Sequence, residues 1–440
     1  MTIANFNRQH SWQAAEAADA RGLLHKFITA VGYRSDTVVG RLVGAAGRLL
    51  AGPAGKRLLG RRLVLSRGVK LVSYPSGELI EAAYRRCRHF HRFLDPQTVK
   101  FARAELFDIL AARHVGDCDV FHGFEQCAAF SLDAARRAGA VTLLDQSIIA
   151  WPSYAERLAA ARLRFGLPAY SEPALFGRHV ARKAQERGGA DYFLGGLDEV
   201  RRTLEQAGVP GGKIFVIPYG ADLTVFTPVV RTPSERLRLL FVGSLSWVKG
   251  LPFLLEALAL LADPRISLRV FGGAEPEWQP LLSRMRRSLV AQGISVDFAG
   301  TVAQRELVGA FHEADAFVFP SLIGGVGLAS LQAMATGLPS IAPSTDVILS
   351  DEGDVLIADP LDPSKLAAAI ERLRADLKLR RHLSDGAVQT ARRFTWAAYG
   401  RALVAAYERM LAGQPACTFL PGPGDSLIVR EHSEEGLRRS

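Results

Sequence analysis

The feature that most limits what this chain can become is the regular alternation in its second half. LRLLFVGS (237–244) is a continuous apolar run, followed by the amphipathic stretch LPFLLEALALLA. SLRVFGG, ISVDFAG, DAFVFPS, PSIAPS and DVLIADP are further short apolar runs. Between them lie WQPLLSRMRRSLVAQG, QRELVGAFHEA, SLQAMATG and PSKLAAAIERLRADL, all with helical spacing. Strand alternating with helix predicts a parallel sheet joined by crossover helices. In such sheets a ligand sits at the carboxyl ends of the strands.

The first half reads as a less regular α/β domain. HSWQAAEAADARGLLHKFIT predicts a helix then a strand, and helical text follows to residue 115. DCDVFHGF (117–124), VTLLDQ, ADYFLGG and KIFVIPYGAD (213–222) predict strands. TPVVRTP (227–233) is a proline-bounded linker. FTWAAYGRALVAAYERMLAG predicts a long amphipathic helix, and the Pro/Gly-rich remainder after Gly413 reads as a loosely held tail. A domain of residues 1–228, a second of 229–395, a helix of 396–412 and a tail of 413–440 follow. The length, 440 residues, suits two full-sized domains.

The four cysteines form no C-x-x-C pair, which argues for a reducing compartment and against a zinc site. No apolar run reaches 18 residues, and the first residues lack the pattern of a secretory signal. A cytoplasmic protein is expected. Net charge is +10, which suits anionic partners. Residues 34–70 hold nine Arg or Lys against one acid, Asp36, interleaved with Leu, Val and Ala. Two readings of this segment stay open: a helix or helix pair on the inner, anionic face of a membrane, or a solvated basic face of the first domain. Nucleic acid is disfavoured, because the segment has no aromatic residues for base stacking.

Three strand exits carry chemistry. In FVGSLSWVKG, Gly243 and Ser244 end a strand and Lys249 stands near the next helix, where it can meet a diphosphate. Gly272 and Gly273 turn the chain after SLRVF. In FPSLIGGVGLASLQAMATGLP (319–339), Gly324, Gly325, Val326 and Gly327 precede a helix starting near Leu328 and carrying Gln332. Glycine-rich backbone N–H groups and a helix start form a phosphate cradle. No metal is needed if Lys249 and this helix share the charge. An epimerase or dehydrogenase would need G-x-G-x-x-G after the first strand, and NFNRQHSW has no glycine.

The order of these motifs resembles the retaining glycosyltransferases of family 4, with the GT-B fold. FVGxLxxxKG, the GG turn, VDFAG, ADAFVFPS and GVGLASLQAMATGLP carry the resemblance, which covers about 115–412 well and 1–114 poorly. It implies two Rossmann-like domains facing across a cleft, with a C-terminal helix crossing back. A nucleoside-diphosphate sugar would sit in the second domain and a glycan or lipid-linked acceptor against the first, with retention and no metal or other cofactor. Donor contacts then fall on Gly243, Ser244, Lys249, Gly273, Gly324, Gly325, Val326, Gly327, Leu328 and Gln332. The family's two glutamates, eight positions apart, correspond to Gly324 and Gln332 here, and its arginine after FVG corresponds to Ser244. A histidine common at the end of the VTLLDQ strand is absent. Asp145 and Gln146 stand there, with His122 on the preceding strand and His10 before the first helix. Asp145 and His122 are the catalytic candidates, although a buried histidine satisfied by its neighbours is the somewhat better account of His122. With both glutamates replaced, a weak or inactive GT-B-like binding or assembly subunit is the alternative function.

Overall fold

The computed structural model describes residues 1–8, 10–49, 61–87, 94–167, 176–232, 234–273, 279–323, 327–343 and 348–432. The strands, in chain order, are β1 (Thr2–Asn5), β2 (Lys26–Thr29), β3 (Tyr33–Arg34), β4 (Arg62–Leu63), β5 (Lys70–Ser73), β6 (Val120–Phe124), β7 (Val141–Gln146), β8 (Tyr192–Gly195) and β9 (Ile214–Val216). The second half adds β10 (Leu237–Val242), β11 (Ile266–Phe271), β12 (Ser295–Gly300), β13 (Ala316–Val318), β14 (Ser340–Ala342), β15 (Leu356–Ile357), β16 (Cys417–Pro421) and β17 (Leu427–Glu431).

Two sheets organise the molecule. One runs β17-β16-β9-β8-β7-β6-β1-β2-β5 and the other β12-β11-β10-β13-β14-β15. Every pair is parallel except β16–β17. The apolar runs are strands because helices cover both faces of a parallel sheet. The helices between them start where side chains or Pro favour a start: Asp362 accepts from Ser364 N and Lys365 N ahead of Pro363–Ala375, and Thr395 caps Trp396–Leu411. That last helix packs on Ser11–Ala20 of the first domain, so closely that a Cβ on Gly400 would lie 2.8 Å from Ala17 Cβ. The helix Trp151–Arg164 comes from the first half, yet its Leu158 and Ala161 are buried in the core of the second sheet.

Three expectations change. The text from 30 to 115 is not all helical, since β3, β4 and β5 lie within it. The helix Leu377–Arg393, capped by Asp376, stands where the sequence reading named no element. The segment after Gly413 is not loosely held over its described part. Cys417 to Pro421 are all buried, and Ala416 N donates to Gly212 O at 2.7 Å. Without β16, β9 would present an unpaired edge. The proline–glycine run that suggested a tail is the turn between β16 and β17.

Candidate functional site

β10 has β11 on one side and β13 on the other, so the chain leaves it in opposite directions and opens a crevice at its carboxyl end. The exits are drawn together by backbone bonds: Gly243 N to Phe271 O (3.0 Å), Leu245 N to Gly273 O (2.9 Å) and Leu322 N to Val248 O (2.7 Å). Glycine is required at two points. Gly250 has φ +72°, and a Cβ there would lie 1.8 Å from Pro320 O. A Cβ on Gly272 would lie 1.8 Å from Gly243 O.

Lys249 is the one cation of the donor-side residues singled out in the sequence. Its Nζ stands 5.2 Å from the centroid of the Phe319 ring. The same ring lies 3.4 Å from where a Cβ on Gly327 would sit, so Phe319 links the lysine to the start of the helix Leu328–Ala335. Gly327 caps that helix without a side-chain bond. Lys249 is partly exposed as a residue, yet burial pulls its pKa down to about 8. No ion pair to it occurs among the described residues. Ser244 is exposed, with Oγ 3.3 Å from Ser246 Oγ, and Gln332 is half-buried within the helix. Gly243, Ser244, Lys249, Gly273, Gly327, Leu328 and Gln332 thus lie along one edge of the sheet. Gly324, Gly325 and Val326 lie outside the described residues.

His122 and Asp145 do not reach this edge. Both have essentially no exposure. His10 Nε2 is 2.7 Å from Asp145 Oδ2, His122 Nε2 is 3.4 Å from the same oxygen, and His122 Nδ1 is 2.8 Å from Tyr407 Oη. Tyr407 belongs to the helix that crosses back. The structure seals both groups from solvent, and the variant Asp145→Ala tests the catalytic role expected of them. They form a buried polar network that ties strand ends to the crossing helix. Burial pushes the Asp145 carboxyl up, but the combined pull of His10 and His122 outweighs it and holds the group below its usual range. His122 is lowered by burial.

A second set of residues, missed in the sequence, faces Lys249's loop from the first domain. A cavity of about 160 Å³ is lined by Phe101, Gln126, Trp151, Tyr154, His179 and Lys183 on one side and by Ser246, Trp247 and Val248 on the other. His179 stacks on Phe101 at 3.7 Å and is neutral, because burial and nearby cations lower its pKa to about 3. Lys183 donates to Glu125 at 2.7 Å. Gln126 adopts φ +82°, and Glu186 holds its turn by accepting from Gln126 N and Ala128 N, both at 2.9 Å. Left-handed non-glycine backbone of this kind gathers at ligand sites. The available signal was WPSY (151–154), an aromatic cluster directly after the loop leaving β7.

Two parallel-sheet domains, with a phosphate-type strand exit facing an aromatic pocket and a terminal helix returning to the first domain, make up the GT-B architecture. The comparisons agree on the fold. Sucrose-phosphate synthase from Thermosynechococcus elongatus superposes with a TM-score of 0.65 at 18% identity, covering 94% of this chain and 99% of that one. Anabaena HepE in complex with UDP gives 0.61 at 13%, covering 92% and 99%. In sequence, residues 236–376 match the family model Glycosyl transferases group 1. A D-inositol 3-phosphate glycosyltransferase of Corynebacterium jeikeium is 33% identical over 242 residues, covering 50% of this chain and 58% of the relative. Its namesake in Geodermatophilus obscurus is 32% identical over 251 residues, covering 52% and 55%. The matched part thus spans little more than half the length of these curated relatives.

Proposed function

We propose that the protein transfers a sugar from a nucleoside-diphosphate sugar to a glycan or lipid-linked acceptor, with retention at the anomeric carbon and without a metal ion. The observation that carries this reading is Lys249: a largely desolvated cation with no carboxylate partner among the described residues, next to a helix start capped by no side chain of Gly327, at the switch of a parallel sheet. As the glycosidic bond breaks, negative charge develops on the leaving diphosphate. A fixed ammonium and aligned backbone N–H groups stabilise that charge more than they stabilise the intact donor. The aromatic pocket across the cleft suits an acceptor. By the family resemblance, Gly324 brings no carboxylate to the sugar, Gln332 offers a neutral acceptor to the ribose, and Ser244 leaves Lys249 without a second cation beside the diphosphate.

Titration calorimetry with UDP, GDP and ADP, each free and as its sugar conjugate, tests the donor part. HepE was solved with UDP, which makes UDP the first nucleotide to try. One sugar conjugate is expected to bind more tightly than its free nucleotide. Equal affinities support the alternative, a cradle that binds without reading sugar, and no binding at all removes the enzyme reading. The anomeric configuration of the product, read by NMR, decides retention. D-inositol 3-phosphate, named in the curated relatives, belongs in the acceptor panel.

The proposal places the protein in the cytoplasm, peripheral on an anionic membrane. Part of the basic segment is structural: Arg34 is buried, with Nη1 donating to Ser66 O and Val69 O and the rest of its fork on Asp36. The helix Val38–Leu49 is the part that supports a membrane role. Leu42 and Leu49 are 67% and 85% exposed, with exposed Arg41 beside them. Residues 50–60 lie outside the described residues. No described helix is long and apolar enough to cross a membrane. Co-sedimentation with vesicles containing phosphatidylserine at low salt is expected, with release at high salt. Failure to sediment at low salt would falsify the membrane part alone.

A further inference from the structure

We infer that an open cavity at the foot of the second sheet, walled by the domain linker and the helix Leu377–Arg393, is a binding site for a phosphate-bearing small molecule. The cavity measures about 910 Å³. It lies at the opposite end of the strands from the cleft, since its lining residues Asp315 and Pro339 immediately precede β13 and β14. It is therefore separate from the proposed donor site and independent of that reading.

Four guanidinium groups line the cavity: Arg231, Arg380, Arg381 and Arg392. Arg231 donates to the carbonyls of Phe311, Ala314, Val229, Thr336 and Gly337, and to no carboxylate. Carbonyls satisfy its hydrogen bonds but leave its full charge. Arg380 is nine-tenths buried; its Nη2 donates to Ser234 O and its Nε has no partner. Arg381 and Arg392 are exposed and take part in no ion pair among the described residues.

The lining carboxylates are few. Both oxygens of Asp315 are occupied by Arg238, at 2.9 Å each. Asp385 is the other one. Burial lowers the pKa of Arg231 to about 10 and that of Arg380 as well, and the charge of Asp315, shared with Arg238, offsets only part of this, which leaves place for a further counter-ion. A bound phosphate would supply it, and arginine forks suit its geometry.

Position gives the site a consequence. Residues 228–232 of the linker form one wall, and the opposite helix leads directly into Thr395, where the chain returns to the first domain beside Ala221. Both crossings between the domains border the cavity. An occupant joining the two walls restrains the movement of one domain against the other.

Inorganic phosphate is the probe, in calorimetry and thermal melts at matched ionic strength against chloride. Phosphate is expected to raise the melting temperature of the wild type and of Lys249→Met equally. The rim variant Arg381→Gln/Arg392→Gln, altered at exposed positions that leave folding intact, should bind phosphate about tenfold more weakly. Hydrogen exchange at 228–232 should slow when phosphate binds. A response no greater than that to chloride, one that disappears in Lys249→Met, or one unchanged in the rim variant overturns the site. Binding without added protection at 228–232 overturns the restraint on domain movement.

Discussion

Lys249→Met is expected to lose diphosphate binding and at the same time to melt at a higher temperature than the wild type. The two effects have one cause. A charge-assisted bond to a phosphate oxygen is worth about 1.5–3 kcal/mol, so UDP affinity should fall by roughly 10- to 100-fold. Stability moves the other way because no carboxylate among the described residues offsets the desolvated ammonium. Lys249 gives up its proton near pH 8 in the folded protein, whereas an unfolded lysine holds it to about 10.4. Between these values the unfolded state carries more protons, so stability rises with pH through that window. Below pH 8 the charged lysine costs its full amount, on the order of 1–3 kcal/mol, which methionine removes. Urea unfolding at pH 7 and UDP calorimetry on the same preparation check both halves. UDP affinity of the wild type should also decline as pH climbs above 8. Undiminished affinity in Lys249→Met would remove the lysine from the site.

The second expectation concerns Asp145→Ala, which should be among the most destabilising single changes in the chain. It removes the hydrogen-bond acceptor of His10, which also stands 3.4 Å from His122, and leaves two buried imidazoles facing a cavity. Losing a buried hydrogen bond to a charged group typically costs about 1.5–3 kcal/mol, and the cavity left behind adds to that. Because the folded carboxyl titrates below its unfolded value, its contribution is complete above about pH 4 and is lost as pH falls through the folded pKa. The melting temperature should drop sharply at pH 7, while UDP affinity measured well below the melt stays close to that of the wild type. A variant that unfolds like the wild type but no longer turns over would restore the catalytic role that burial argues against.

These residues also mark where reading the sequence succeeds and where it stops. The placement of Lys249 at a strand exit was legible because its signal is local: a buried strand, glycine, then lysine before a helix. The strand Leu237–Val242 and its successors were legible for the same reason, since apolar runs and helical spacing fix each element within a few residues of chain. The roles of His122 and Asp145 were not legible. Whether a polar side chain at a strand end faces a cleft or a neighbouring helix depends on what packs over it. Here that is Tyr407, 285 residues away from His122.

Composition misled in the same way at the C-terminus. A Pro/Gly-rich stretch reads as loose until one sees that β9 has an open edge for Cys417–Pro421 to fill. The pocket of Trp151, Tyr154, His179 and Phe101 needed three separate segments brought together, and no periodicity records that.

The sequence by itself determined the parallel α/β class, the strand–helix alternation of the second half up to Ala375 and the glycine-rich strand exits, because each depends on the spacing of residues near one another in the chain. Only the tertiary structure decided which titratable groups are sealed, which cations lack a counter-ion, and that the arginines of the linker and of Leu377–Arg393 share one cavity. Burial and uncompensated charge are sums over neighbours contributed by distant segments, and those sums do not exist until the chain has folded.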